Sequence, residues 1–285
     1  MRGRAGQAGP VEPTCRPVVR HRLQQSFRYD YDGPASSLLH RLVVVPPRRH
    51  GGQRLRLAAV QVSDPAAQVD WERDGWGNAL CRVRLAEVPS RLEMTVSVVA
   101  DRWTGPHLVP AELLRDPRLR QRSLLTGPSP RLARLADALS RDDVLAMADD
   151  LCARIPGLIR YTPGATTVRT TAAQALDGGV GVCQDQAHVM LALLRLAGHP
   201  CRYVSGHLAG EGGTHAWVEV VAPHPSGAQV IAYDPCHARR VDARSLVVAV
   251  GRDYLDVAPT SGWYSGDARG TLTADRCLLS EALAA

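Results

Sequence analysis

Apolar and polar residues alternate in short runs along the first hundred residues of the chain. Runs with a period of two are typical of strands that have one buried face. Pro-Pro, Gly-Gly and Asp-Gly pairs separate the runs, and such pairs mark turns. The predicted strands cover residues 18–31, 39–45, 54–63, 79–86 and 92–100. This spacing predicts a β-sandwich domain over residues 17–105, and residues 1–16, rich in Gly, Pro, Arg and Ala, are predicted to be disordered.

The pattern changes after the predicted sandwich. Prolines recur between residues 101 and 130, so residues 106–130 are predicted to be a linker. Helical spacing of apolar residues starts at residue 131, with a stop and a new N-cap near Ser140, and returns over residues 184–197. Five further strands are predicted over residues 202–208, 215–221, 229–234, 246–250 and 272–278. The chain is therefore predicted to be an α+β protein, with a second domain over residues 131–285.

The charges of the chain exclude some classes of partner. The 285 residues include 34 basic and 28 acidic side chains, a net charge of +6, and every basic residue is Arg. These Arg residues are spread along the whole chain instead of forming a patch, so no nucleic-acid partner is predicted. The uncharged apolar runs are far too short to span a bilayer, so no membrane partner is predicted either.

The cysteines indicate a reducing environment. Seven of them, at positions 15, 81, 152, 183, 201, 236 and 277, are widely spaced and form no CxxC pair. This spacing argues against a zinc ribbon or a thioredoxin motif. A chain of this length needs no disulfide framework, and its N-terminus lacks the apolar segment of a secretory signal. We therefore predict a cytoplasmic location.

Cys183 is the first candidate for chemistry. It follows the glycine-rich stretch 178–181 and immediately precedes the helical pattern. A cysteine at a helix N-terminus lies at the positive end of the helix dipole, which favours the reactive thiolate. Unpaired N–H groups at the same position, including that of Cys183, can bind an oxyanion. Taken alone, however, the position is better explained by a buried cysteine that caps a helix.

His215 and Asp234 are the second and third candidates. His215 opens one predicted strand, Asp234 ends the next, and the connection between them contains Pro, Ser and Gly. Residues equidistant from a hairpin turn face each other, so we predict that His215 and Asp234 are cross-strand neighbours. With Cys183 they would form a Cys–His–Asp set, in which a thiolate attacks, an imidazole moves the proton and a carboxylate orients the imidazole.

The segments around these residues resemble those of bacterial transglutaminase-like proteins, whose fold is related to that of papain-type cysteine proteases. The resemblance rests on Gly181-Val-Cys-Gln-Asp185, Thr214-His-Ala-Trp-Val-Glu219 and Tyr233-Asp-Pro235, and on further segments at 161–168, 198–206 and 250–259. It extends over nearly the whole chain from about residue 18, including the β-rich N-terminal region. It implies a papain-like transglutaminase core, in which the nucleophile helix packs on an antiparallel β-sheet. It also implies Cys183 as nucleophile, His215 as base and Asp234 as orienting acid.

Three further residues are predicted to form the substrate pocket. Trp217 lies two residues after His215 on the same strand face, where it would be part of the core or a wall of the pocket. Ser205 and Gly206 end the strand that follows the nucleophile helix, and they are expected to line the cleft.

Several positions depart from the family pattern or have two interpretations. Gln186, His207, Cys236 and His237 stand where the family carries other residues, which affects the substrate pocket more than the triad. Asp185 would cap the helix or bind a substrate amine, and His188 would pack inside the fold. A third interpretation is a zinc site from Cys183, His188, Cys236 and His237. Its spacing matches no standard ligand pattern, so neither a metal nor a cofactor is predicted. Arg252, Asp253 and Asp256 are predicted to form a set of ion pairs in a loop.

The predicted function is acyl transfer at an amide bond of a peptide or protein through a cysteine thioester. Water as the acceptor would make the protein a protease or amidase, and an amine would make it a transglutaminase. Hydrolysis is favoured, because the sequence shows no acidic loops of the kind that calcium-activated crosslinking enzymes need. A non-catalytic binding module on the same fold is the alternative from a different class.

Overall fold

The computed structural model describes residues 18–283, and its N-terminal region is built from strands, as predicted. These are β1 (Val18–Tyr31), β2 (Ala35–Leu42), β3 (Arg49–His50), β4 (Gln53–Val62), β5 (Gln68–Arg73), β6 (Ala79–Val88) and β7 (Arg91–Trp103). Buried and exposed residues alternate along β1 and β7, which fits a period of two with one face in the core. The buried set includes Leu23, Phe27, Val83, Met94 and Val96. The prediction of disorder for residues 1–16 falls outside the described residues.

The predicted linker is folded against the second domain. It contains β8 (His107–Val109) and two short 3₁₀ turns, Ala111–Arg115 and Pro117–Leu119. Leu119 is fully buried and packs beside Val221, Ala228 and Val230 of the core sheet. These contacts fix the path of the chain between its two regions. The predicted linker therefore contains two helical turns and a strand, and it is anchored along much of its length.

The second region contains both helices and strands. They are α1 (Pro130–Leu139), α2 (Val144–Leu158), β9 (Arg160–Tyr161), α3 (Ala172–Gly178), β10 (Val180–Gly181), α4 (Cys183–Leu196), β11 (Cys201–Leu208), β12 (His215–His224), β13 (Gly227–Asp234), β14 (Arg239–Arg240), β15 (Ser245–Gly251) and α5 (Tyr254–Val257). Asp143 starts α2 by accepting hydrogen bonds from the Leu145 and Ala146 N–H groups, as expected of the N-cap that the sequence indicates near Ser140.

An antiparallel sheet carries the core of this region. Its order is β14-β13-β12-β11-β15, with β8 added beside β13. Helix α4 packs on one face, where Ala216, Val218 and Val220 of β12 join the same apolar cluster as Val189, Met190 and Leu193 of the helix. This arrangement confirms the predicted α+β fold, a β-sandwich followed by a helix packed on an antiparallel sheet. In the described range, no helix has both the length and the apolar character needed to cross a membrane.

The C-terminal strands return to the N-terminal region. Strand β16 (Thr260–Ser265) pairs with β2, and β17 (Gly270–Leu283) pairs with β1 along its full length. The sandwich sheets therefore have the orders β17-β1-β7-β4-β3 and β16-β2-β6-β5. We expected the second domain to run to residue 285, whereas strand pairing places residues 260–283 with the first. Strand β17 is mostly exposed, so its local pattern gives no sign of the distant strand it joins.

Candidate active site

Cys183 is the first residue of α4, as the sequence predicts. The turn before it is held by Asp185, whose Oδ2 accepts hydrogen bonds from the Val182 N–H (2.8 Å) and the Thr166 hydroxyl (2.6 Å). A side chain at Gly181 would collide with Asp185, because a Cβ there would lie 2.7 Å from the Asp185 Cβ. Asp185 therefore caps the helix, the first of its two interpretations. The Cys183 N–H belongs to the first turn and has no carbonyl partner within the helix.

His215 and Asp234 are in contact, as predicted. His215 Nε2 lies 2.9 Å from Asp234 Oδ2, and both side chains are buried. Their strand register differs from the symmetrical one we expected, because His224 pairs with Gly227 and places the turn at Pro225 and Ser226. The predicted pairing is thus wrong by two residues. Both residues still lie on the same face of the sheet, since a shift of two preserves the side on which a side chain emerges.

The contact between His215 and Asp234 shifts their pKa values in opposite directions. Burial acts to lower the pKa of His215, but the hydrogen bonds and negative charges of Asp234 and Cys183 outweigh it and raise the pKa to about 10. For Asp234, burial acts to raise the pKa, but the hydrogen bonds and charges of His215 and His237 outweigh it and lower the pKa. At neutral pH the two residues therefore form an imidazolium–carboxylate pair.

Cys183 and His215 share one cleft. Its volume is about 490 Å³, and its wall contains both residues together with Tyr161, Glu211, Gly212, Gly213, Thr214, Cys236 and His237. Cys183 is partly exposed in it, whereas His215 is buried. Because Nε2 of His215 is bonded to Asp234, Nδ1 is the nitrogen left to exchange a proton with other groups of the cleft. The structure thus brings the three predicted triad residues together.

Two residues of the cleft were not identified as functional from the sequence. His237 Nδ1 lies 2.7 Å from Asp234 Oδ2, the oxygen that also contacts His215. Glu211 connects the two imidazoles, with Oε1 3.1 Å from His237 Nε2 and Oε2 3.4 Å from His215 Nδ1. His237 stood out in the sequence only as a departure from the family pattern. The Gly-Glu-Gly-Gly sequence at 210–213 is the signal that could have identified Glu211, because glycines allow close approach of a substrate.

The prediction that Trp217, Ser205 and Gly206 line the cleft is wrong, and Trp217 instead takes its other predicted position, in the core. Trp217 is fully buried in a cluster with Val204, Val247 and Val250. Ser205 and Gly206 are also buried, and a Cβ at Gly206 would lie 2.4 Å from the Trp217 ring. Trp217 does share a strand face with His215, but its ring packs against side chains of β11 and β15 on that face. The Trp217 ring lies beside the imidazole of His215, and the two ring centroids are 6.1 Å apart.

The remaining singled-out residues are structural. Gln186 donates to the Ile159 carbonyl (2.8 Å), and Gln25 of the sandwich donates to His207 (2.7 Å). His188 is fully buried and accepts from the Tyr254 N–H at 3.2 Å, as expected of a packed residue. Because His188 lies outside the cleft, the zinc set of Cys183, His188, Cys236 and His237 does not form. His215, Asp234 and His237 do lie within metal-binding distance of one another.

The loop ion pair is present as predicted. Arg252 Nη2 lies 2.9 Å from Asp256 Oδ1. Asp253 does not join this pair. It caps α5 by accepting from the Leu255 N–H (2.8 Å), and its other oxygen accepts from the Leu125 N–H (3.2 Å). These contacts stabilise the loop after β15 and tie it to the segment that precedes α1.

Comparisons with known proteins agree with this geometry. The model of the transglutaminase-like superfamily matches residues 133–235, and that of the bacterial transglutaminase-like N-terminal region matches residues 21–101. An uncharacterized protein of Mycobacterium tuberculosis is 32% identical over 286 residues, covering 89% of this chain and 88% of its own. An uncharacterized protein of Mycobacterium leprae is 30% identical over 269 residues, covering 87% and 94%.

A solved structure shows the same fold. The "Putative Cysteine Protease" from Cytophaga hutchinsonii superposes with a TM-score of 0.74, at 20% identity, over 94% of this chain and 92% of its own. The chain belongs to the transglutaminase-like superfamily and combines the papain-like core with the bacterial N-terminal region. Its family and fold support an enzyme that uses a thiol to act on amides.

Proposed function

We propose that the protein is a cysteine hydrolase that cleaves an amide bond of a peptide or protein, with Cys183, His215 and Asp234 as its catalytic triad. The observation that carries the proposal is the placement of His215, which bonds Asp234 through Nε2 and shares the cleft with Cys183. A buried carboxylate that holds the imidazole in one orientation is the arrangement that nucleophilic catalysis needs.

The first half of the reaction forms a thioester. The Cys183 thiolate attacks the carbonyl carbon of the amide, and the carbonyl electrons move to oxygen. The Cys183 N–H at the start of α4 is placed to donate to that oxyanion. Protonated His215 then gives its proton to the departing amine as the C–N bond breaks.

The second half restores the enzyme. A water molecule in the cleft loses a proton to neutral His215 and attacks the thioester carbonyl. The tetrahedral intermediate collapses, the C–S bond breaks, and the carboxylic acid leaves. Cys183 recovers as the thiolate, paired with imidazolium, while Asp234 stays ionised throughout. The proton that His215 gives to the amine is replaced by the proton that it takes from water, so the enzyme ends the cycle in its starting state.

A primary amine is the alternative acceptor, and Glu211 is the observation that favours it. The Glu211 carboxylate lies on the cleft wall beside His215 Nδ1 and is partly exposed, so it can attract an ammonium group. The bound ammonium group would first lose one proton to solvent to become a nucleophilic amine. His215 would remove a second proton as the amine attacks the thioester, the C–S bond would break, and the product would be a new amide instead of an acid.

Labelling with a thiol-directed probe tests the proposal. Limiting iodoacetamide followed by peptide mass mapping should modify Cys183 before the other cysteines, because it combines a helix N-terminus with an imidazole partner. Cys236→Ala is the matched control, since Cys236 lines the same cleft. This variant should keep both labelling and peptide cleavage, whereas Cys183→Ala should lose both. Preferential labelling of Cys236 with an inert Cys183 would contradict the proposal.

A further inference from the structure

A second cluster of ionisable side chains lies where the sandwich meets the core. His50 ends β3, His107 begins β8, and Glu219 is in the middle of β12. Their ligand atoms all lie within 4.8 Å of one another. His50 Nε2 is 2.6 Å from Glu219 Oε1, and the two imidazole rings meet edge to face with centroids 5.0 Å apart. All three residues line a cavity of about 390 Å³, separate from the cleft of Cys183.

Glu219 supplies a fixed negative charge to this cluster. Its side chain is buried, with one oxygen against His50 and the other against Arg202. Arg202 contacts Oε2 through Nε (2.8 Å) and Nη2 (2.7 Å). These two contacts orient the Glu219 carboxylate, so that Oε1 faces His50.

His107 has no evident structural task. Its side chain makes no hydrogen bond to any group between residues 18 and 283, yet its ring is held close to the chain. A Cβ at Gly51 would lie 2.7 Å from the His107 Cγ, and Gly51 has a φ of +52°. Only glycine therefore fits the β3–β4 turn beside the ring. The ring nitrogens of His107 have no partner between residues 18 and 283, and one of them lies within 4.8 Å of the ligand atoms of His50 and Glu219.

We propose that His50, His107 and Glu219 bind a divalent transition-metal ion such as Zn²⁺, at the junction of the two regions. Two imidazoles and one carboxylate are a ligand set that Zn²⁺ accepts, with a fourth position left open. Ligand atoms around a tetrahedral zinc lie roughly 3.3 Å apart. His50 and Glu219 would thus separate slightly to admit the ion between them, and His107 would move closer.

The charged residues around the cluster indicate which fourth ligand the metal ion would have. Arg202 and Arg102 both face the cluster and oppose an uncompensated cation. Arg102 lines the same cavity, and its buried Nη1 has no hydrogen-bond partner among the described residues. An anionic fourth ligand on the metal, such as hydroxide or a carboxylate, would balance the charge and give Arg102 an acceptor. The site therefore suits a metal together with a small anion.

Zinc titration of the metal-free full-length protein tests the proposal. The titration uses a Cys183→Ala/His237→Ala background, because His215, Asp234 and His237 form a competing cluster. By calorimetry, this background should bind one Zn²⁺ per chain. His107→Phe fills the same space without a ligand atom, and it should weaken binding roughly tenfold or more. His224→Phe removes a histidine outside both clusters and should leave the affinity unchanged.

Each result decides the question. Absence of saturable zinc binding in the background would overturn the proposal, and so would equal affinity in His107→Phe. If circular dichroism shows that His107→Phe does not fold, Glu219→Gln replaces it, since the amide keeps an acceptor for Arg202. Cobalt substitution adds a separate readout. Absorption typical of nitrogen and oxygen ligands supports the site, whereas a thiolate-to-cobalt charge-transfer band would place the metal elsewhere and overturn it.

Discussion

A single oxygen of Asp234 serves two histidines. Oδ2 lies 2.9 Å from His215 Nε2 and 2.7 Å from His237 Nδ1, while Oδ1 accepts from the Cys236 N–H at 3.0 Å. The backbone contact fixes the carboxylate, so its orientation does not depend on either imidazole alone. Asp234 is therefore rigidly placed even though it ends its strand, and His237 competes with His215 for the same acceptor.

Substitutions at Asp234 and His237 should differ greatly in their effect on activity. Asp234→Asn removes the charge that stabilises imidazolium and alters the preferred tautomer of His215, so kcat/KM should fall about 100-fold or more. His237→Gln removes one of several bonds to the carboxylate and should cost less than about tenfold. The measurement is steady-state cleavage of a fluorogenic peptide by each folded variant.

The control for this comparison is His224→Gln, which lies outside the cleft and should match the wild-type rate. A loss with His237→Gln as large as that with Asp234→Asn would show that His237, and not His215 alone, carries the proton. That result would contradict the assignment of His215 as the base.

The same ion pair makes stability depend on pH. The pKa of His215 is about 10 in the folded chain, against about 6.5 for an unfolded histidine. A pKa raised by folding stabilises the fold fully below about pH 6.5, and the contribution is lost as the pH rises through about 10. The wild type should therefore have a larger free energy of unfolding than His215→Gln. This difference should be greatest near about pH 6 and small above about pH 10. Urea denaturation across this range measures it, and a constant difference would contradict the pairing.

The triad could be predicted because its positions depend on local sequence. Cys183 starts an apolar helix after glycines. His215 begins one strand and Asp234 ends the next, and a short turn joins the two strands. Because strand alternation has a period of two, even a register wrong by two residues put His215 and Asp234 on the same face. Local pattern therefore sufficed to predict where these residues lie, whereas their roles in a triad were inferred from the family resemblance.

Residues that depend on distant chain segments could not be predicted in this way. Trp217 was assigned to the pocket because it shares a strand face with His215, but β15, some thirty residues later, covers it. The meeting of His50 and His107 with Glu219 likewise requires contacts between separate regions. No local period carries that information, since it arises only from how sheets and loops pack together.

The C-terminal strands should be needed for the N-terminal sandwich. Strand β17 pairs with β1 over fourteen residues, and the His21 imidazole contacts the Ser280 hydroxyl at 2.7 Å. Removal of residues 259–285 would turn β1 into an open edge and uncover part of the apolar core. The melting temperature should fall by at least about 10 °C, as judged by thermal circular dichroism.

Removal of residues 284–285 alone is the matched control, because this deletion leaves both C-terminal strands intact. It should melt at the wild-type temperature. If the long deletion also melted there, with the sandwich still resistant to limited proteolysis, the C-terminal strands would be dispensable and the first seven strands would form an independent unit.

The acyl acceptor can be determined from product partitioning, and the composition of the chain provides an internal control. Because the protein contains no lysine, it cannot crosslink to its own side-chain amines, so incubation alone should give no ladder on a denaturing gel.

With a glutamine-containing peptide, water should give the free acid and an added primary amine should compete for the Cys183 thioester. Amines lose their proton as the pH rises, so aminolysis should gain on hydrolysis towards alkaline pH. We expect the acid to dominate at low amine concentration. Dominant amine incorporation there would instead assign the transamidase alternative, and Glu211→Gln should then weaken it more than it weakens hydrolysis.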